Sequence, residues 1–226
     1  MTSYIIATTK SWNIARGETL KAVDKDNQWF IVTGKEGLTA ERVRAVNPRY
    51  IFFPHWSWII PKEIYENFEC VVFHMTDLPY GRGGSPLQNL IVRGHTATKI
   101  SALRVDRGID TGAVYMKRDL SLAGTADDIL RRASDIIFSD LIPVIVVTNP
   151  IPVPQNGEPV TFSRRKPEDG NLTVLFDLRQ VYDYIRMLDG EGYPHAFLET
   201  KDARYEFFDA HWEGDSLTAK VAIHKR

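Results

Sequence analysis

At 226 residues, the chain can bury one full hydrophobic core and a small appendage. Its 43% hydrophobic and 25% charged residues are the mix of an ordinary globular protein and exclude a disordered or fibrous one. A formal net charge of -1 at pH 7 leaves no basic footprint for a large polyanion, so no nucleic-acid partner is expected.

The opening MTSYIIATTKSWN lacks the basic stretch and small-residue cleavage site of a secretory leader, so residues 4–7 are expected as a first strand. Residues 29–32, 49–53 and 70–73 are further strands. They are continuous apolar runs, the pattern of parallel strands covered on both faces. Between them, residues 39–46 and 61–67 read as helices, one capped by Thr39 and the other begun by Pro61. This alternation predicts an α/β fold with an open, mostly parallel, Rossmann-like sheet, which places ligands at the carboxyl ends of its strands. Cys70, the single cysteine, lies in an apolar run and is expected as a buried, inert thiol in a reducing, cytoplasmic compartment. No apolar run approaches the roughly 20 residues of a membrane-spanning helix, so no membrane partner is expected.

Next comes a glycine-rich turn, Gly81-Arg82-Gly83-Gly84. Ser85-Pro86-Leu87-Gln88 then offers an N-cap serine, a proline at the first helical position and a capping-box glutamine, predicting a helix over residues 86–93. Residues 99–105 and 113–118 read as strands flanking a turn at 106–112. Thr125 caps a long helix with Asp127 and Asp128 in its first turn, expected to weaken or end near Pro143. Residues 149–159, rich in Pro, Asn and Gly, read as a linker. This divides the chain into a catalytic core at 1–150 and a small C-terminal subdomain at 151–226. A helix at 178–188 and antiparallel strands at 196–200, 204–210 and 217–224 make that extension α+β.

His74 ends a buried strand, where an open α/β sheet presents side chains to a ligand. Asp110, in a tight turn between two strands, is placed to reach the same edge. A histidine held by a carboxylate has a defined tautomer and suits proton transfer near neutral pH. The alternative is a packed histidine bonded to backbone.

The spacing around these residues adds to that reading. The run from His74 to Pro86, HMTDLPYGRGGSP, resembles the H-x-S-L-L-P-x-x-R-G-x-x-P motif of the folate-dependent N-formyltransferase family, to which methionyl-tRNA formyltransferases belong. Asp106-Arg107-Gly108-Ile109-Asp110-Thr111-Gly112 resembles its D-x-G-x-D-T-G segment, and residues 53–61 hold the place of its loop ending in I-L-P. Gln155, Thr161-Phe162-Ser163-Arg164-Arg165-Lys166-Pro167-Glu168-Asp169-Gly170 and Tyr193-Pro194-His195-Ala196-Phe197 are similar to the family's tail. The five pieces come in the right order, and the likeness extends over about residues 49–210 and is weaker before that.

The resemblance implies the formyltransferase fold, 10-formyltetrahydrofolate as co-substrate and no metal. An unprotonated amine attacks the formyl carbon; His74 manages the proton and steadies the developing oxyanion, and Asp110 orients and charges the imidazole. One position departs: the family asparagine two residues before the histidine is Val72 here, which can neither donate nor accept. His55, at the end of the neighbouring strand, is the candidate replacement; otherwise it only walls the folate pocket. Trp58, Ile59, Ile60 and Asp106 are the implied folate-side residues. Lys10, Trp12, Asn13, Met75, Thr76, Arg82, Gly83 and Gly84 are the implied substrate side. For Arg82 a tether between loops is an equal alternative, and Arg164, Arg165 and Lys166 read as a structural clamp. Motif form and chain length favour the sugar-nucleotide branch, hence a nucleotide-linked amino sugar as acceptor and a role in polysaccharide biosynthesis. Methionyl-tRNA, glycinamide ribonucleotide and a non-catalytic folate- or nucleotide-binding protein are the alternatives. Members of the family are often dimers, so a homodimer is compatible with the resemblance.

Overall fold

In the computed structural model, which describes residues 1–225, the chain forms two compact units. The first holds residues 1–82, 99–119 and 131–161; the second holds 83–98, 120–130 and the chain from 162 onward.

Strands β1 (Thr2–Ala7), β2 (Asn27–Val32), β3 (Tyr50–Phe53) and β4 (Cys70–His74) organise the first unit. After the short β5 (Tyr80–Gly83) come β6 (Ala97–Arg104) and β7 (Val114–Ser121), and the sheet order is β2-β1-β3-β4-β6-β7. β1 is parallel to β2 and β3, β3 is parallel to β4, and β4 is antiparallel to β6. This is the open, mostly parallel α/β sheet expected. One face buries Ile5, Ala7, Ile51, Phe53 and Cys70 against Leu38, Val43, Ile60 and Ile64. The other carries stacked and tilted rings of Tyr4, Trp29, Tyr50, Phe52 and Phe73, whose quadrupoles favour such offset contacts. Burial pushes the Cys70 thiol up to about 12, so it is inert.

Several local expectations need correction. No sequence signal marks a helix after the first strand, yet helix α1 (Ser11–Val23) begins there, and its Gly17 lets it close on β2, since a Cβ would lie 2.9 Å from Ile31 Cδ1. Residues 29–32 are not covered on both faces, since Phe30 is exposed, and β2 is the edge strand of the sheet. Helix α2 (Ala40–Val46) is capped as expected, Thr39 Oγ1 accepting from Arg42 N at 3.3 Å. Helix α3 is shorter than expected, Lys62–Tyr65, with Pro61 as its N-cap. The glycine-rich turn at 81–84 is in large part strand β5. Ser85 adopts a left-handed conformation, φ 51°, and makes no side-chain cap to helix α4 (Pro86–Ile91). Its hydroxyl instead accepts from Arg165 N, and Gln88 Nε2 donates to Met187 O, so no capping box forms.

Helix α5 (Ala126–Ile136) starts at Thr125, whose Oγ1 accepts from Asp128 N at 3.2 Å. Near Pro143 the regular α-helix is interrupted, as expected, without the chain leaving the helix. A π turn over Ile137–Leu141 widens the backbone before the proline, which then occupies the first turn of α6 (Ile142–Thr148). A proline there needs no N–H partner, so the axis continues.

Strand β8 (Val160–Phe162) pairs with β5. The second unit contains α4, helix α7 (Leu178–Leu188) and the antiparallel sheet β11-β10-β9, with β9 at Ala196–Glu199, β10 at Ala203–Glu213 and β11 at Ser216–Lys225. Arg165 lies over the Tyr184 ring and donates to Asp169 O. No helix of the described residues is long and apolar enough to cross a membrane.

Candidate functional site

In the first unit the chain reverses direction across the sheet between β1 and β3: β1 leads outward to β2, and β2 returns to β3 on the other side. Such a switch point leaves a crevice at the carboxyl ends of the strands, where ligands bind in open α/β sheets. The residues leaving β1, β3 and β4 at that end are Thr8 and Thr9, Pro54 and His55, and His74. Phe53 pairs with Val72, so two residues further His55 and His74 leave adjacent strands at the same level.

His74 is buried. Its Nε2 lies 2.7 Å from Gly81 O, which can only accept, so Nε2 carries a proton. Its Nδ1 faces Asp110 Oδ2 at 3.5 Å. A second proton on the ring would therefore sit between the imidazole and the carboxylate. Asp110 itself has φ 54°, a left-handed conformation that brings its carboxylate back toward β4. The turn is held from behind. Gln155 Nε2 donates to Asp110 O and Gly112 O at 2.8 and 2.9 Å, and its Oε1 accepts from Arg82 Nε and a second guanidinium nitrogen at 3.1 and 2.8 Å. Gly112 passes so close to β6 that a Cβ would lie 1.7 Å from Arg104 O. Arg82 thus serves as the tether between loops. Gln155 is the residue whose structural part the sequence pattern alone did not expose.

His55 also has positive φ, 53°. A non-glycine residue there is sparsely populated and clusters at functional sites. Its Nδ1 lies 3.0 Å from Asn13 Nδ2. Asn13 is fully buried, also bonds Thr8 Oγ1 and Pro54 O, and receives Ser134 Oγ at 2.5 Å on its Oδ1. Desolvation of the His55 ring, with a smaller contribution from Lys10, pushes its pKa down to about 4. Val72 packs against the apolar cluster of Phe53, Ile60 and Cys70 and supplies no polar group.

The other expected site residues fall into two groups. Trp58 and Ile59 are exposed, whereas Ile60 belongs to the core. The Trp58 ring meets that of Trp56 edge-on at 4.9 Å, and the Trp56 indole N–H is buried without a partner. Asp106 Oδ1 accepts from Gly108 N and Thr111 Oγ1, which holds the turn. Met75 and Thr76 are buried, with Ser101 Oγ on Thr76 O. Trp12 is buried between the Lys10 ammonium, 5.5 Å from its ring centroid, and the Arg131 guanidinium at 5.0 Å. In the second unit the Gly84 amide is already donated to Phe162 O, which leaves it unavailable to an anion. Gly83 lies in β5. No group of three His, Cys, Asp or Glu side chains able to hold a metal occurs among the described residues.

Two family models match this chain: formyl transferase over residues 23–135, and the methionyl-tRNA formyltransferase C-terminal domain over residues 167–224. The chain belongs to the formyl transferase family. A solved methionyl-tRNA formyltransferase from Clostridium thermocellum is 56% identical, with 100% of both chains covered and a TM-score of 0.98. The methionyl-tRNA formyltransferase of Rickettsia felis is 26% identical over 77% of this chain and 59% of its own length. The chain therefore spans about three-fifths of that curated relative, and less of some others. HypX from Aquifex aeolicus, solved in complex with tetrahydrofolic acid, shares the fold at 16% identity, with a TM-score of 0.75 over 93% of this chain and 38% of that one. These findings overturn the expectation of an amino-sugar acceptor, and with it nucleotide sugar, polysaccharide biosynthesis and the exclusion of nucleic acid. The solved structure at 56% identity and curated relatives such as that of Rickettsia felis carry a methionyl-tRNA name, whereas a sugar N-formyltransferase from Shewanella shares only the fold at 15% identity, with a TM-score of 0.68. Net charge averages over a whole surface and so does not exclude a local site for a polyanion.

Proposed function

We propose that this chain transfers a formyl group from 10-formyltetrahydrofolate to the amino group of an aminoacyl-tRNA, methionyl-tRNA being the acceptor its relatives name. The observation that carries the reaction is the buried His74 facing the partly exposed Asp110 at the carboxyl edge of the sheet, in a chain of the formyl transferase family. The acceptor rests on the relative that covers the whole chain.

The folate co-substrate supplies the activated formyl carbon. The donor set fits it: the buried, unpartnered Trp56 N–H calls for an acceptor such as a pterin edge, beside the apolar surface of Phe53, Trp56 and Trp58. With Nε2 protonated, His74 can take a second proton at Nδ1 facing Asp110, which orients the ring and balances its charge. His55 stands where a donor is needed now that Val72 has none. Lys10 and Arg131 around Trp12 lend positive charge to the head of α1, which suits an anionic acceptor. In the balanced reaction the amine loses one proton, forms an N–C bond to the formyl group, and tetrahydrofolate leaves with a proton on nitrogen.

The test is direct. Purified protein, 10-formyltetrahydrofolate and charged methionyl-tRNA are incubated, and the released methionine is examined for the mass of one added CO. Formylmethionine at a rate that rises with enzyme is the expected result. Tetrahydrofolate formation without formylmethionine, or no turnover, overturns the acceptor or the reaction respectively.

A further inference from the structure

We propose that Ser134 and Asn13 are positioning residues that lock His55 as a neutral, Nε2-protonated hydrogen-bond donor to the formyl oxygen of the co-substrate. The donor part rests on the reaction proposed above; the lock does not.

The orientation of the Asn13 amide is fixed by its neighbours. Pro54 O, 3.3 Å away, can only accept, so the nitrogen of the amide faces it and the oxygen faces Ser134. The same nitrogen lies 3.0 Å from His55 Nδ1 and must donate to it. Nδ1 is therefore unprotonated, and the one ring proton of neutral His55 is on Nε2. The chain of donors runs Ser134 O–H to Asn13 O, then Asn13 N–H to the ring. Thr8 Oγ1 donates to Pro54 O at 2.6 Å and Thr9 Oγ1 to His55 O at 3.4 Å, which pins the left-handed turn to the end of β1. Ser134 and Asn13 are both fully buried, so water is kept from the network and a half-satisfied alternative would be costly.

The charged group acting on this ring is Lys10, at the head of α1; His74 ends the adjacent strand at the same level. Desolvation and the Lys10 charge keep His55 uncharged at neutral pH. A neutral donor at this level of the sheet supplies what Val72 lacks. A hydrogen-bond donor to a developing oxyanion contributes about 10²- to 10³-fold in rate.

The tests separate lock from reaction. In nitrogen-15 spectra of the full chain, His55 should show the Nε2–H tautomer from pH 5 to 8, without titrating. Asn13→Asp places a carboxylate against Nδ1 and should bring a His55 titration into that window, whatever the protein catalyses. An Nδ1–H tautomer, or a wild-type ring that titrates near pH 6.5, overturns the lock. For the donor role, His55→Ala should lose about 10²- to 10³-fold in kcat while His55→Asn, which restores an N–H, recovers most of it. Asn13→Asp should gain a descending limb in kcat as its His55 deprotonates, because the proton then left on Nδ1 leaves Nε2 a bare acceptor. Equal rates for His55→Ala and wild type, or no new limb, overturn the donor role and leave the lock to the spectra. Ser134→Ala should shift the tautomer balance in the same direction as the loss of Asn13, by a smaller amount.

Discussion

Gln155→Glu is the sharpest test of how Asp110 is held. The substitution is isosteric and keeps the acceptor oxygen that Arg82 grips at 3.1 and 2.8 Å, now with a charge that strengthens that pair. It replaces the Nε2 donor with a second oxygen, 2.8 and 2.9 Å from the carbonyls of Asp110 and Gly112. Two hydrogen bonds worth about 1 kcal/mol each are lost, and two acceptors then face a carboxylate, so the local cost is about 2–4 kcal/mol. At about 1.4 kcal/mol per decade, the turn opens roughly 30- to 700-fold more often. Amide exchange of residues 110–112 should speed up by that order, and kcat should fall 10-fold or more because the His74 partner is misplaced. Thermal stability should move by only a few degrees, since the change lies in a surface turn. A Gln155→Glu protein with wild-type exchange at the turn and wild-type kcat would refute the idea that this clamp positions Asp110.

Further outcomes follow from the same geometry. His74→Ala and Asp110→Asn should each lower formyl transfer about 10²- to 10⁴-fold with an unchanged circular-dichroism spectrum; normal turnover in either would remove the pair from the reaction. Gly112→Ala drives a methyl into Arg104 O and should lower the melting temperature measurably, together with turnover, as the 106–112 turn shifts. His55 has a folded pKa of about 4, below its ordinary 6.5. Its contribution to stability is thus complete above pH 6.5 and is lost as pH falls toward 4. From pH 7 to pH 5 this amounts to at most about 2 kcal/mol, and urea unfolding of wild type and His55→Gln should converge by that much.

The parallel strands were legible because burial on both faces writes itself as unbroken apolar runs: residues 49–53 and 70–73 mark β3 and β4 almost to the residue. Helix α7 was expected over the residues it occupies, 178–188, and in the structure Asp177 caps it. Helix α1 did not, because its contact with the sheet relies on Gly17 and on a buried asparagine, features without periodicity. Ser85 misled for a related reason. Ser-Pro-x-Gln is a helix start by local chemistry, but the hydroxyl was taken by a backbone N–H eighty residues away. His74 and Asp110 could be named from spacing, since one ends a strand and the other sits in the turn after its neighbour. What joins them to Gln155, and His55 to Asn13 and Ser134, depends on long-range contacts that no local pattern records.

Replacing the family asparagine with Val72 therefore need not remove a hydrogen-bond donor from the crevice. The level of the sheet is set by pairing, and the Phe53–Val72 pair puts His55 opposite His74 two residues on. A donor can then come from the neighbouring strand end without any change of fold. The exchange has a consequence for the chemistry. An asparagine N–H is a donor at every pH, whereas an imidazole is a neutral donor only if something keeps its second nitrogen from taking a proton. Asn13 and desolvation supply that restraint at His55, while His74 keeps a carboxylate at its second nitrogen. Two histidines in one crevice are thus given opposite neighbours, an amide donor for one and an acid for the other. In the proposed reaction that difference would divide hydrogen-bond donation, at His55, from proton transfer, at His74.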